Sequence, residues 1–256
     1  MAAPLASAFR RDEPVVGNWV SLPEPAVAEL FASMDFDFVT VDMEHTTVTV
    51  ARLLEMVRSI DAAPDDTRSI VRVPGADADL IKRVLDLGID GIMLPMVQTV
   101  EQAESFVEAC RYPPDGSRGV GPGRGAGYGL SLPEQIEADD GAFATIVQIE
   151  SERAIGNARE IAAVDSVDAL FVGPTDLSVS MGTFDEDEGR LFGRIEGAID
   201  DIAATGTPVG TVAIGANQIE RCADIGFDFL AVGYDAHFLI EGSERARATY
   251  ESERDR

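Results

Sequence analysis

Lysine is nearly missing from this chain: Lys82 is the only one in 256 residues, and every other Lys/Arg position holds arginine. A Schiff-base enzyme needs a lysine desolvated beside its substrate, so imine chemistry would rest on Lys82 alone. Cysteine and histidine are almost as scarce, at two each, which argues against a disulfide framework and a clustered Cys/His metal site. Cys110 and Cys222 fall in helical patterns and are expected as buried thiols. No apolar run approaches the roughly 18 residues of a membrane span, and the N-terminus carries no signal-peptide pattern, so a cytoplasmic location without membrane contact is expected. Positive charge is the last shortage: 46 Asp and Glu face 20 Lys and Arg, a formal net charge of −26. Nucleic acid and anionic membranes are poor partners for such a surface. The hydrophobic fraction of 45% is that of a folded domain, so the acidity does not signal disorder. An acidic surface almost stripped of lysine suits concentrated salt, where counterions screen self-repulsion, and a halophilic cytoplasm is expected.

What is present is an alternation. Short apolar runs occur at "VVGNWV" (15–20), "DFVTVD" (37–42), "SIVRVP" (69–74), "DGIMLP" (90–95), "ATIVQIE" (144–150), "DALFVG" (168–173), "TPVGTVA" (207–213) and "FDFLAVG" (227–233). They are rich in β-branched or aromatic residues, as buried parallel strands are. Helical patterns lie between them, several ending at Gly88, Gly206 or Gly226, where a left-handed C-cap is expected. Eight strand–helix units predict one (β/α)₈ barrel domain over residues 1–256. An open doubly wound sheet would need a topological switch point that nothing marks. One connection is long and glycine-rich, at about 112–141, and is expected to cover a substrate from the face that carries the chemistry.

In barrels of this kind the active site lies at the C-terminal ends of the strands. Reading only those ends collects Trp19, the stretch "VDMEH" (41–45) with Asp42, Glu44 and His45, then Arg72, Gln148, Glu150 and Asp176. Glu150 and Asp176 come from neighbouring strands and would repel each other unless a cation lay between them. With oxygen ligands only, that cation would be hard: Mg²⁺ or Mn²⁺, with Co²⁺ as a substitute. Taken singly, each carboxylate reads first as a solvated strand end or a helix N-cap, and it is the pair on consecutive strands that points to a metal. Arg72 sits inside a strand, and turned inward it needs an anionic partner. Glu44 would serve, and so would a substrate carboxylate or enolate oxygen suited to the planar fork. His45 is a candidate base, since imidazole changes charge near neutral pH. His237, in "YDAHFLI", has no comparable company and reads as structural. Lys82 belongs to a helix of the outer ring, so imine chemistry drops out and a carbanion would need a metal as its electron sink.

The segments "VDMEH", "VRVPG", "LDLGIDGIMLPMV", "RYPPDGSRGVG", "VQIES" and "FVGPTDLS" occur in an order and spacing that resemble the HpcH/HpaI aldolase family, the metal-dependent pyruvate aldolases, over about residues 16–232. The resemblance implies a carbon–carbon lyase that cleaves or forms 4-hydroxy-2-oxo acids from pyruvate and an aldehyde. By it, Glu150 and Asp176 hold the divalent cation, Arg72 stabilises the enolate, His45 acts as acid and base through water, and Asp42 belongs to the same catalytic group. Trp19, Gln148, Gly173, Pro174 and Thr175 would line the substrate side, with backbone N–H groups holding the pyruvate carboxylate; the family commonly has Ala where Thr175 stands. Arg124 or Tyr128 of the glycine-rich segment would contact the distal end. The family forms homo-oligomers, trimers or hexamers, which bears on Asp86. Asp86 ends a helix on the far side of the barrel from His45 and either pairs locally or serves a neighbouring subunit's site. A citrate-synthase-like enolate condensation and a non-catalytic barrel binding a small acid are the alternatives.

Overall fold

Each apolar run named above becomes one stave of a closed parallel barrel. The computed structural model describes residues 5–10, 14–138, 142–184 and 188–254. In chain order the elements are α1 (Leu5–Phe9), β1 (Val15–Val20), α2 (Pro25–Ala32), β2 (Phe38–Asp42), α3 (Val50–Asp61), β3 (Arg68–Arg72), α4 (Ala78–Leu85), β4 (Gly91–Leu94) and α5 (Val100–Cys110). There follow α6 (Leu132–Glu137), β5 (Ala144–Ile149), α7 (Glu152–Gly156), α8 (Ala158–Ala162), β6 (Ala169–Val172) and α9 (Pro174–Ser180). The chain continues through α10 (Glu188–Ala203), β7 (Val209–Val212), α11 (Gly215–Ile225), β8 (Phe229–Tyr234) and α12 (Asp235–Arg254). Strands pair in sequence order, β1 to β8, and β8 closes on β1: this is the (β/α)₈ barrel.

The strands are apolar on both faces because both faces are covered. Outward residues such as Val39, Val71, Ile92 and Val147 pack under the helices, while inward Phe38, Ile70, Met93, Ile146, Phe171 and Phe229 fill the barrel itself. Leu5 and Phe9 of α1 close the N-terminal mouth, Phe9 stacking on Phe229 at 4.1 Å between ring centroids. The sequence reading contains no such plug. Helices start where side chains satisfy their first N–H groups: Thr49, Asp77, Thr99 and Ser151 cap α3, α4, α5 and α7. Between β5 and β6 the helical layer is two short helices, α7 and α8, that meet at Asn157, whose side-chain amide donates to Gln98 O. Cys110 and Cys222 are buried free thiols. No helix among the described residues is long and apolar enough to cross a membrane.

A fourfold feature runs round the N-terminal face. The aspartate just before each even strand accepts the backbone N–H of the preceding odd strand: Asp37 from Val16 (2.8 Å), Asp90 from Ser69 (2.9 Å), Asp168 from Thr145 (2.9 Å) and Asp228 from Val209 (2.7 Å). Each takes up a donor that the ladder leaves free at its end.

The glycine-rich segment is not a cover for the chemistry. It joins a helix to a strand, and helices here return toward the N-terminal face. The segment accordingly packs on the C-terminal ends of α3 and α4, with Gly125 N donating to Asp86 O and Arg124 bonding Leu87 O and Asp61. It carries a 3₁₀ turn (Arg124–Gly129) and α6; its residues 139–141 lie outside the described residues.

Candidate active site

Register brings the first cluster together: Asp42 at the end of β2 is paired with Arg72 at the end of β3. Arg72 donates from Nε and Nη2 to the two carboxylate oxygens of Asp42, at 2.9 and 2.7 Å. Its Nη1 forms an ion pair at 3.0 Å with Glu44 Oε2, although the angle does not make this a hydrogen bond. Burial works against the Arg72 charge, but Asp42, Glu44 and Glu150 more than offset it and hold the guanidinium above its ordinary value. Trp19 stacks on it, with the guanidinium carbon 4.7 Å from the ring centroid. Glu44 is itself raised, chiefly by burial, in spite of Arg72 and His45. His45 lies 3.7 Å from Glu44 Oε2 with its side chain 68% exposed, within reach of both solvent and the cavity.

The second cluster stands on β5 and β6. Glu150 Oε1 accepts the Met96 N–H at 2.7 Å, and Met96 is held at φ 56°, a conformation unusual for a residue with a side chain. Glu150 Oε2 and Gln148 Oε1 are buried and have no partner among the described residues. Burial above all, with Asp176 and Glu44 adding repulsion, pushes the Glu150 carboxyl up to about 7 against the pull of the Met96 N–H and Arg72. A Cβ on Gly173 would lie 2.5 Å from Glu150 Oε2 and 2.8 Å from Gln148 Nε2, so only glycine lets the chain pass this carboxylate. A buried carboxylate with one oxygen held and the other bare, repelled by a second carboxylate, fits a hard divalent cation. Among the described residues no group of three or more His, Cys, Asp or Glu is arranged to hold a metal. A cation on Glu150 and Asp176 would therefore take its other ligands from water and substrate, as Mg²⁺ and Mn²⁺ sites commonly do.

The two clusters face one cavity of about 230 Å³. Trp19, His45, Arg72, Gln148, Gly173, Pro174, Thr175 and Asp176 border it; Asp42 and Glu150 do not. Asp42 is a positioning partner of Arg72. Of the backbone donors expected to hold a carboxylate, Gly173 N–H is taken by Ile149 O at 3.2 Å and Pro174 has none, leaving Thr175 and Asp176 at the head of α9. Three expected residues are not brought here within the chain. Asp86 pairs with Arg118 at 2.9 Å on the N-terminal face, and Arg124 lies beside it. Tyr128 bonds Arg58 at 2.9 Å. The expectation that Arg124 and Tyr128 touch the distal substrate fails for one chain, because a helix-to-strand connection reaches the opposite end of the barrel.

The sequence reading missed the other wall, made by Ser21, Phe171, Val212, Ile214 and Tyr234. The strand-end rule applied to the last two strands would have named Val212 and Tyr234. Nothing in the sequence announces the Met96 N–H, which acts through backbone conformation.

Comparison with known proteins agrees with this layout. The sequence profile of the HpcH/HpaI aldolase/citrate lyase family matches residues 16–242. A hydroxypyruvate/pyruvate aldolase of Delftia acidovorans is 40% identical over 244 residues, 94% of this chain and 90% of the relative. A 4-hydroxy-2-oxovalerate aldolase of Novosphingobium aromaticivorans is 37% identical over 235 residues, 91% of this chain and 89% of the relative. The crystal structure of a protein of the same family from Burkholderia cenocepacia J2315 superposes with a TM-score of 0.92 at 31% identity, covering 96% of this chain and 98% of that one.

Proposed function

The chain belongs to the HpcH/HpaI aldolase/citrate lyase family and is an aldolase, a carbon–carbon lyase; from that premise we propose that it cleaves and re-forms 4-hydroxy-2-oxo acids through the enolate of pyruvate, releasing or capturing an aldehyde. The observation that carries the reading is the bare Oε2 of buried Glu150 beside Asp176. Glu150 and Asp176 would hold Mg²⁺ or Mn²⁺, with Co²⁺ able to replace them, and the cation when bound supplies Lewis-acid stabilisation of the charge that collects at C2 of the substrate.

In the cleavage direction the 4-hydroxyl loses its proton, the C3–C4 bond breaks, and its electron pair moves to the C2 oxygen. His45 takes that proton through water, which its exposure allows, and returns one to C3. Arg72, charged and locked by Asp42, presents a fixed positive field to the forming enolate. Trp19 covers the guanidinium and excludes water from it. Gln148 and the N–H groups of Thr175 and Asp176 orient the 2-oxo acid. Asp86 serves catalysis only if a neighbouring subunit presents it, in a homo-oligomer such as a trimer or hexamer.

Exchange of pyruvate methyl protons in D₂O, with no aldehyde present, tests enolisation directly and separates a catalyst from a binder. Exchange is expected with divalent metal and not after exhaustive chelation; full exchange in enzyme shown to be metal-free would overturn the proposal. For Asp86, mixed oligomers of His45→Ala and Asp86→Ala subunits are expected to recover part of the activity that each lacks alone, and none if the site is complete in one chain.

A further inference from the structure

Strand β8 changes its parity just before it ends. Phe229 and Ala231 face the barrel interior and Leu230 packs outward against the helical layer, so regular alternation would turn Gly233 inward and Tyr234 outward. The ladder does otherwise: Gly17 pairs with Ala231 and Trp19 with Tyr234, two steps on β1 against three on β8. Gly233 absorbs the additional residue at φ 112°, a backbone conformation that only glycine adopts readily. A bulge of this kind re-aims the side chain that follows it. Here it swings Tyr234 inward beside Trp19, into the wall of the cavity.

That wall differs from the one opposite. Beyond the Glu150–Asp176 and Arg72–His45 side, the cavity is bounded by Trp19, Phe171, Val212, Ile214 and Tyr234. The hydroxyl of Ser21, which also borders it, already donates to Asp235 at 2.6 Å. Tyr234 Oη has no hydrogen-bond partner among the described residues; its ring makes a tilted contact with His237 at 5.7 Å. Among the described residues the only Arg or Lys on the cavity is Arg72, already held by Asp42 and Glu44.

We infer that this wall receives a short, uncharged hydroxyaldehyde, with Tyr234 Oη bonding its hydroxyl group, and rejects semialdehydes that carry a carboxylate. The inference rests on the aldolase reading above and supplies the electrophile it leaves open. A carboxylate on this wall would meet, among this chain's described residues, apolar surface and no cation, and a desolvated charge without a partner is costly. An alkyl tail would displace water from Tyr234 Oη and give it no partner, and a site with a polar group discriminates against analogues that cannot pair it. The volume of about 230 Å³ lies below the roughly 300–1,000 Å³ of sites for drug-sized ligands, which suits an aldehyde of a few carbons.

The test is aldol addition of pyruvate, by the Mn²⁺-loaded enzyme, to glycolaldehyde, to propanal of matching size, and to succinic semialdehyde. The expected kcat/KM for glycolaldehyde exceeds that for propanal by about tenfold and that for succinic semialdehyde by about a hundredfold or more. In Tyr234→Phe the glycolaldehyde-to-propanal ratio should fall to about one, the loss of one discriminating hydrogen bond. Tyr234→Arg should shift preference toward succinic semialdehyde by about tenfold or more, because a cation then stands where the tail passes. Succinic semialdehyde used as well as glycolaldehyde by the wild type, or an unchanged ratio in Tyr234→Phe, overturns the inference. Pyruvate exchange without aldehyde keeps the two claims apart: exchange with the wrong aldehyde preference sinks this inference alone, and no exchange sinks both.

Discussion

The two ends of the barrel treat carboxylates in opposite ways. At the N-terminal end Asp37, Asp90, Asp168 and Asp228 each receive a backbone N–H from the neighbouring strand. At the C-terminal end Glu150 receives one on Oε1, but its Oε2 is left bare, and Asp176 adds repulsion instead of relief. Both sets sit at strand ends, and sequence alone scores them alike. The difference is whether the chain supplies the donors: where it does, the carboxylate serves the fold, and where it does not, the charge is kept for something that arrives.

Five changes would break or sharpen this contrast. Glu150→Gln should cost about a thousandfold or more in kcat/KM, equivalent to about 4 kcal/mol, while the melting temperature holds or rises because a buried unpaired charge is gone. A large drop in melting temperature would make Glu150 a structural carboxylate after all. Arg72→Lys should lose about a hundredfold in kcat/KM, since an ammonium cannot reproduce the two-point grip on Asp42; near-normal turnover in a folded variant would assign Arg72 to structure.

On the other face, Asp228→Ala leaves the Val209 N–H without its acceptor and should cost about 1–3 kcal/mol of stability, with kcat/KM unchanged within about twofold. Asp228→Asn keeps an acceptor and removes the charge. Burial raises the Asp228 carboxyl above its ordinary value, so folding favours its protonated form. The stability from that preference is fully present in acid and is lost as pH rises through the raised value, so Asp228→Asn should be nearly neutral or stabilising at pH 7 by thermal melts. A loss equal to that of Asp228→Ala would contradict it. The smallest effect concerns the whole surface: the melting temperature should rise between dilute buffer and molar KCl as the net charge of −26 is screened. A flat profile would remove the halophilic expectation.

How far the sequence was legible follows from the same physics. Strands buried on both faces leave uninterrupted β-branched runs, so all eight strands could be read with their ends nearly in place. Arg72, Glu150 and Asp176 follow because they are the polar interruptions at the ends of those runs. The aspartates before β2, β4, β6 and β8 stood in plain view at every second strand, but a hydrogen bond to a neighbouring strand's N–H becomes readable only with register. The glycine-rich segment misled because its composition suggests a lid, while its direction, from helix to strand, sends it to the other end. Tyr234 escaped because alternation places it outside, and the bulge that brings it in is written only as an unremarkable glycine.

The aspartate bonds also divide the seams of the barrel into two kinds. They fasten β1 to β2, β3 to β4, β5 to β6 and β7 to β8, leaving the other four seams without such a tie at this end. Glu150 and Gly173 flank the β5–β6 seam, fastened at the N-terminal end, whereas Trp19 and Tyr234 flank the bulged β8–β1 seam, which Asp235 fastens at the C-terminal end by accepting the N–H groups of Ser21 and Leu22. The chain thus laces its barrel at both rims: aspartates close every second seam on the N-terminal rim, and Asp235 closes the β8–β1 seam on the C-terminal rim, so the bulge that carries Tyr234 is pinned by the residue that follows it.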